Sequence, residues 1–409
     1  MWYRSSLVVL LGVTLVGCGK PEVHFRFNEA YLESQQRSSQ DFKFTKEQKQ
    51  EFATALVSMF GTPDEPFVPA SGDAPMTDVV SLSRLRMAAG PVGKDEHGNV
   101  RGLYRQHCVH CHGITGDGAG PTAAFLNPYP RDYRKGTYKA KSTPAGAPPT
   151  HDDLRRILVN GIPGTAMPSF KLLPDNEIDA LVDYVKYLSI RGQTERMLIV
   201  NAIDNYSGPE DSLDMSPDYL IGEVLTDIVA SWRDAGVQMP EIAARPELSE
   251  EERQVSIEKG RELFYGATAN CFSCHGQAQL GDGQKGNHDA WTKDFYDFDA
   301  SQNPEERAQM AEDYANLTGL EVRTILPRNL RSGTFRFGRR PVDLYLRILH
   351  GIDGTPMPAA ALLAEGDPVT AKKLSSEDIW HLVDYVQSLP YEPQGGEQAH
   401  ETTYQRDRL

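Results

Sequence analysis

Cysteine is scarce in this chain: five in 409 residues, at positions 18, 108, 111, 271 and 274. Four form two close pairs and the fifth lies near the start, so none is left for a structural disulfide. Long apolar runs are missing as well. The run Leu7 to Val16 is shorter than the roughly 20 residues a bilayer-spanning helix needs, and nothing downstream is as apolar. Positive charge is in deficit, 42 Lys and Arg against 57 Asp and Glu, for a formal net charge of −15. With no basic stripe and no aromatic-basic alternation, the composition argues against nucleic acid as a partner. It favours partners with a basic docking face, through steering that weakens as salt rises.

What is present is Cys108-Val109-His110-Cys111-His112, followed by Gly113, and again Cys271-Phe272-Ser273-Cys274-His275, followed by Gly276. Cys-x-x-Cys-His is the attachment pattern of c-type haem: two thiols add across the porphyrin vinyl groups, and the adjacent histidine is carried to the iron. The competing readings are weaker. Zinc needs four ligands, usually with a second Cys or His pair close by, and a thioredoxin-like redox pair has no use for a histidine after its second cysteine. Two copies therefore predict two covalently bound haem c groups, with His112 and His275 as iron ligands. His107, His110 and His350 match no repeated ligand position and read as pocket-edge residues.

Residues 1–18 form an export signal, with Arg4 before the apolar core and Leu15-Val16-Gly17-Cys18 at its end. That ending resembles the lipobox of bacterial lipoproteins, which implies cleavage before Cys18 and lipidation of its thiol. The resemblance places the protein on the periplasmic side of a bacterial cell envelope, held to the membrane by an N-terminal lipid. Beyond it the chain divides into a tether and N-terminal helix (19–76), a first haem domain (77–193) and a partly helical connector (194–247). A second haem domain (248–393) and a polar tail (394–409) complete it. Capping boxes open helices at Thr45, Thr150 and Ser249, and Ile178, Leu181, Val182, Val185 and Leu188 give a 3.6-residue apolar period. Tyr219 to Trp232 is also helical in period.

An internal repeat links the two motifs. Pro130 to Tyr138 (PRDYRKGTY) aligns with Pro327 to Phe335 (PRNLRSGTF), and Leu181-Val182-Asp183-Tyr184-Val185 with Leu382-Val383-Asp384-Tyr385-Val386. Gly161 to Pro168 (GIPGTAMP) aligns with Gly351 to Pro358 (GIDGTPMP), so each copy keeps a methionine, Met167 or Met357, in one Gly/Pro-stiffened frame. Core packing is the commoner fate of methionine, but the shared frame marks these two as axial ligands. The copies differ in one place: Arg131 follows His112 by 19 residues, Arg328 follows His275 by 53. The excess, residues 287–318, carries Trp291, Phe295, Tyr296 and Phe298, and reads equally as a docking or lid element and as a self-packed loop.

These motifs resemble the class I cytochrome c family, in particular tandem di-haem members such as subunit III of cbb3-type oxidases. The resemblance implies an all-α fold of two class I cytochrome c domains in tandem, joined by the connector, with thioether links at Cys108, Cys111, Cys271 and Cys274. It also implies Arg131 and Arg328 near the haem propionates, and the Pro121 carbonyl orienting His112. The expected function is single-electron transfer in a respiratory chain, between a quinol-oxidising complex and a terminal oxidase or reductase. Its partners are redox proteins, free or as subunits of a respiratory complex. The alternative is a di-haem enzyme of peroxidase or thiosulfate dehydrogenase type, in which one iron is open or differently ligated.

Overall fold

The computed structural model describes residues 23–38, 43–296, 303–364, 367 and 373–392. The signal segment with Cys18, the aromatic Phe298 and the tail 394–409 lie outside the described residues. The chain is mostly helical. Its described strands are β1 (Gly93–Lys94) and β2 (Val100–Arg101), an antiparallel pair with Gly93 opposite Arg101.

Helices α1 (Glu29–Ser38), α2 (Lys46–Phe60), α3 (Leu82–Ala88) and α4 (Leu103–His107) precede the first motif, whose Cys108 caps α5 (Val109–His112). Helices α6 (His151–Asn160) and α7 (Asp175–Asn205) follow it. The caps at Thr45 and Thr150 form as reciprocal boxes, each hydroxyl taking the backbone N–H three residues on. Helix α1 lies in the stretch whose composition reads as a tether. It docks because Leu32 is buried and the Asn28 N–H donates to Glu195 Oε1 at 2.9 Å, contacts too few to register as an amphipathic pattern.

Helix α7 runs on to Asn205, past the domain end expected at 193, because Leu198, Ile199 and Ala202 continue its buried face. The chain then folds back. A π-helical segment, Asp218–Leu225, feeds α8 (Thr226–Arg233), and Leu220, Val224, Leu225, Val229 and Trp232 join the same core as Leu56, Leu181 and Leu188. Residues expected to connect two domains thus complete the core of the first half.

The second half is built from α9 (Glu250–Tyr265), α10 (Phe272–His275), α11 (Ala290–Lys293), α12 (Pro304–Thr318), α13 (Pro341–His350) and α14 (Ser376–Ser388). Its core gathers Phe264, Leu344, Tyr345, Ile379, Leu382, Val383 and Tyr385, with α14 laid along α9. Gly260 permits that crossing, since a Cβ there would collide with the His381 carbonyl. A small third cluster of Phe295, Tyr296, Tyr314 and Leu320 closes on Ala123 of the first half. The aromatic insertion therefore packs across the molecule.

If residues 218–233 belong to the first core, Leu225→Ala lowers the free energy of unfolding by about 2–5 kcal/mol, measured by urea denaturation. A loss below about 0.5 kcal/mol would mark the segment as peripheral.

Candidate haem sites

Each motif histidine is fixed by a backbone carbonyl. His112 Nδ1 lies 3.0 Å from the Arg131 carbonyl and His275 Nδ1 lies 3.1 Å from the Arg328 carbonyl. A carbonyl can only accept, so Nδ1 carries the proton and Nε2 is left with its lone pair, the form in which imidazole binds a metal. The Pro121 carbonyl does not take this role. Pro121 is exposed, and the neutral imidazole has one N–H, which Arg131 uses.

The Pro-Arg segments are pinned beneath the motifs in the same way in both halves. The His112 carbonyl accepts from Gly118 N–H at 3.0 Å, and Tyr133 N–H donates to the Gly116 carbonyl at 2.7 Å. In the second half His275 accepts from Gly281 at 2.8 Å, and Leu330 donates to Gln279 at 2.9 Å. Gly118 and Gly281 have φ of +73° and +77°, and a Cβ at either would fall against the carbonyl of Pro130 or Pro327.

The methionine loops also match. Met167 N–H donates to Thr165 Oγ1 at 3.1 Å, Thr165 Oγ1 donates to the Ile162 carbonyl at 2.8 Å, and Ile162 N–H returns to the Met167 carbonyl at 3.1 Å. Met357, Thr355 and Ile352 repeat this ring at 3.2, 2.8 and 3.1 Å. That ring is the physical content of the Gly-x-x-Gly-Thr-x-Met-Pro frame: the threonine closes the loop and the glycines let it turn.

In the first half, Cys108, Cys111, His112 and Met167 line one cavity of about 360 Å³ with Leu154, Leu158, Leu181, Val182 and Val185. Its size is that of a small-molecule site, its walls join apolar side chains to a charged margin that includes Arg131, and a thioether, two thiols and an imidazole line it. Burial pushes His112 down to about 4, against the lift from the Arg131 carbonyl, so its ring stays neutral. Burial also pushes the Cys108 thiol up to about 12. Tyr133 stacks on His112 with ring centroids 4.7 Å apart. His107 and His110 sit at the cavity edge, and His107 meets Phe170 edge to face.

In the second half the equivalent residues occupy equivalent elements, with His275 and Cys271 partly buried and Met357 in its ring. Burial lowers the His275 pKa and pushes the Cys271 thiol up to about 11. Leu330 stands where the first half has Tyr133, so the two histidines have different neighbours. His350 ends α13, with Nε2 buried and without a hydrogen-bond partner among the described residues.

Sequence reasoning named Trp291 only within the insertion and passed over Lys139 and Arg336; all three line the first cavity. The Arg131 guanidinium lies 3.4 Å over the Trp291 ring, and Trp291 Nε1 donates to the Asp132 carbonyl at 3.1 Å. Trp291 belongs to the insertion, so its place was not readable from the repeat. Lys139 and Arg336 were readable: each directly follows the aligned pair Thr137-Tyr138 or Thr334-Phe335.

Residues 99–189 match the family model described as Cytochrome c. No curated protein matches the chain. A solved structure described as the Kuenenia stuttgartiensis reducing HAO-like protein complex Kustc0457/Kustc0458 is similar at 24% identity and a TM-score of 0.43. The match covers 73% of this chain and 98% of that one. The chain thus carries a cytochrome c domain, a domain type that binds haem covalently and serves electron transfer or redox chemistry.

If Thr165 closes the methionine loop, Thr165→Val lowers stability by about 1 kcal/mol and speeds hydrogen exchange at the Met167 amide. An unchanged exchange rate would contradict this role.

Proposed function

We propose that this protein is a lipid-anchored di-haem c-type cytochrome, built from two tandem class I domains, that passes single electrons between a quinol-oxidising complex and a terminal oxidase or reductase. The observation that carries the reading is the duplicated hydrogen-bonded ring around Met167 and Met357, each in a half whose motif histidine is already oriented by a carbonyl.

When bound, each haem supplies an iron that takes up and releases one electron. The residues do the rest. Cys108 and Cys111, and in the second half Cys271 and Cys274, would hold the porphyrin through thioether links, while His112 and His275 would offer Nε2 to the metal. Met167 and Met357 would each offer a thioether to the iron in addition to the histidine, the ligand pair suited to electron transfer. His/Met ligation raises the reduction potential relative to more donating ligands. Tyr133 beside His112 and Leu330 in the matching place give the two centres different potentials. Lipidation at Cys18 keeps the carrier at the periplasmic face of a membrane, close to membrane-bound redox partners, and the acidic surface selects basic docking faces among them.

The test is the far-red absorption band of oxidised protein that reports iron–methionine sulfur bonding. Met167→Ala and Met357→Ala each remove about half of it, and reduced wild-type protein binds no carbon monoxide. If one substitution leaves the band intact, or carbon monoxide binds stoichiometrically, one iron is open and the protein is a di-haem enzyme. Cys18→Ala moves the protein from the membrane fraction to the soluble one. Continued sedimentation with membranes would refute the lipid anchor.

A further inference from the structure

Each methionine loop touches the arginine site of the other half. A Cβ on Gly164, in the Met167 loop, would fall 2.6 Å from Arg328 Nη2. A Cβ on Gly354, in the Met357 loop, would fall against the Trp291 ring that carries Arg131 on its face. Further bonds hold this face closed. Arg347 Nη1 donates to the Lys141 carbonyl at 2.5 Å, Lys141 pairs with Asp353, and Lys135 pairs with Asp294 at 2.7 Å.

Four cations meet in this seam. Arg131 and Lys139 come from the first half, and Arg336 from the second lines the same cavity as His112. Lys139 feels the positive charges of Arg131 and Arg336, and Arg336 feels that of Arg328. Asp289 reaches Lys139 at 3.7 Å, but its other oxygen already accepts from Thr292 N–H and Oγ1. Arg336 Nε is buried with no partner among the described residues. Burial, reinforced by the neighbouring cations, pushes Lys139 down to about 7 and lowers Arg336 below the usual guanidinium range, although Asp289 lifts Lys139 in part. Cations this poorly compensated call for anions from a bound group. A haem c offers two carboxylates on one edge, and two haems offer four.

We infer that Arg131, Lys139, Arg328 and Arg336 form one cluster that holds the carboxylates of both haems, so that the two irons form an electrostatically coupled pair. This rests on the two-haem reading and goes beyond pairing each arginine with its own haem. Lys139 and Arg336 are positioning residues in it: they set the field at both irons without touching either.

The test is a redox titration of the holoprotein and of Lys139→Gln and Arg336→Gln, with haem content and the far-red band recorded for each. Removing a cation disfavours the electron-rich ferrous state, so each substitution lowers both midpoint potentials. The expected change is about tenfold in the reduction equilibrium, about 59 mV for a one-electron couple. Lys139→Arg and Arg336→Lys restore both values. The cluster is refuted if each substitution moves the haem of its own half alone, or if neither moves any potential while haem content is two. It is also refuted if added inorganic phosphate shifts the wild-type potentials as the substitutions do, because the cluster then holds a free anion. A haem content of one per chain would instead overturn the two-haem reading, and the coupling with it.

Discussion

The hydrogen bond from a motif histidine to the carbonyl of an arginine is the constraint on which both sites depend. It fixes the imidazole tautomer, and it fixes where the Pro-Arg segment must run. Once that carbonyl is committed to the histidine, the arginine side chain has to leave in another direction. In the first half it leaves into the cavity, under Trp291. One residue thus serves the imidazole through its backbone and the seam between the halves through its guanidinium. The tight glycine turns at Gly118 and Gly281 exist to let this happen.

The two halves are equal in plan and unequal in surroundings. The first owns the larger core, because α1, the extended α7 and the π-helical segment before α8 all pack on it. The second half gives something back: its insertion supplies Trp291, Phe295 and Tyr314 to the walls of the first cavity. Arg37 adds a tie from α1 to this insertion, 2.8 Å from Asp313 and 4.4 Å over the Phe295 ring. Separating the halves would therefore expose apolar surface and strand buried cations, which favours one unit over two beads on a string.

Local rules made much of this legible. The three capping boxes expected at Thr45, Thr150 and Ser249 formed, because Ser and Thr hydroxyls satisfy helix-end N–H groups wherever the next turn begins. The methionine frame was legible because its glycines let the loop turn, its threonine hydroxyl closes one ring, and that ring fixes the backbone of the methionine in both copies. What depended on distant partners was not. The continuation of α7 past residue 193, the docking of α1 through Leu32 and the span of the insertion are decided by surfaces far away in sequence. Pro121 failed as the orienting carbonyl for the same reason: Arg131 lies further along the chain but folds back under the ring.

The central claim is that each half carries one covalent haem, and the direct measurement is mass spectrometry of proteolytic fragments from the purified holoprotein. The account predicts one haem on the fragment containing Cys108 and Cys111 and one on the fragment containing Cys271 and Cys274. Free, alkylatable thiols at Cys271 and Cys274 in otherwise haem-loaded protein would contradict it.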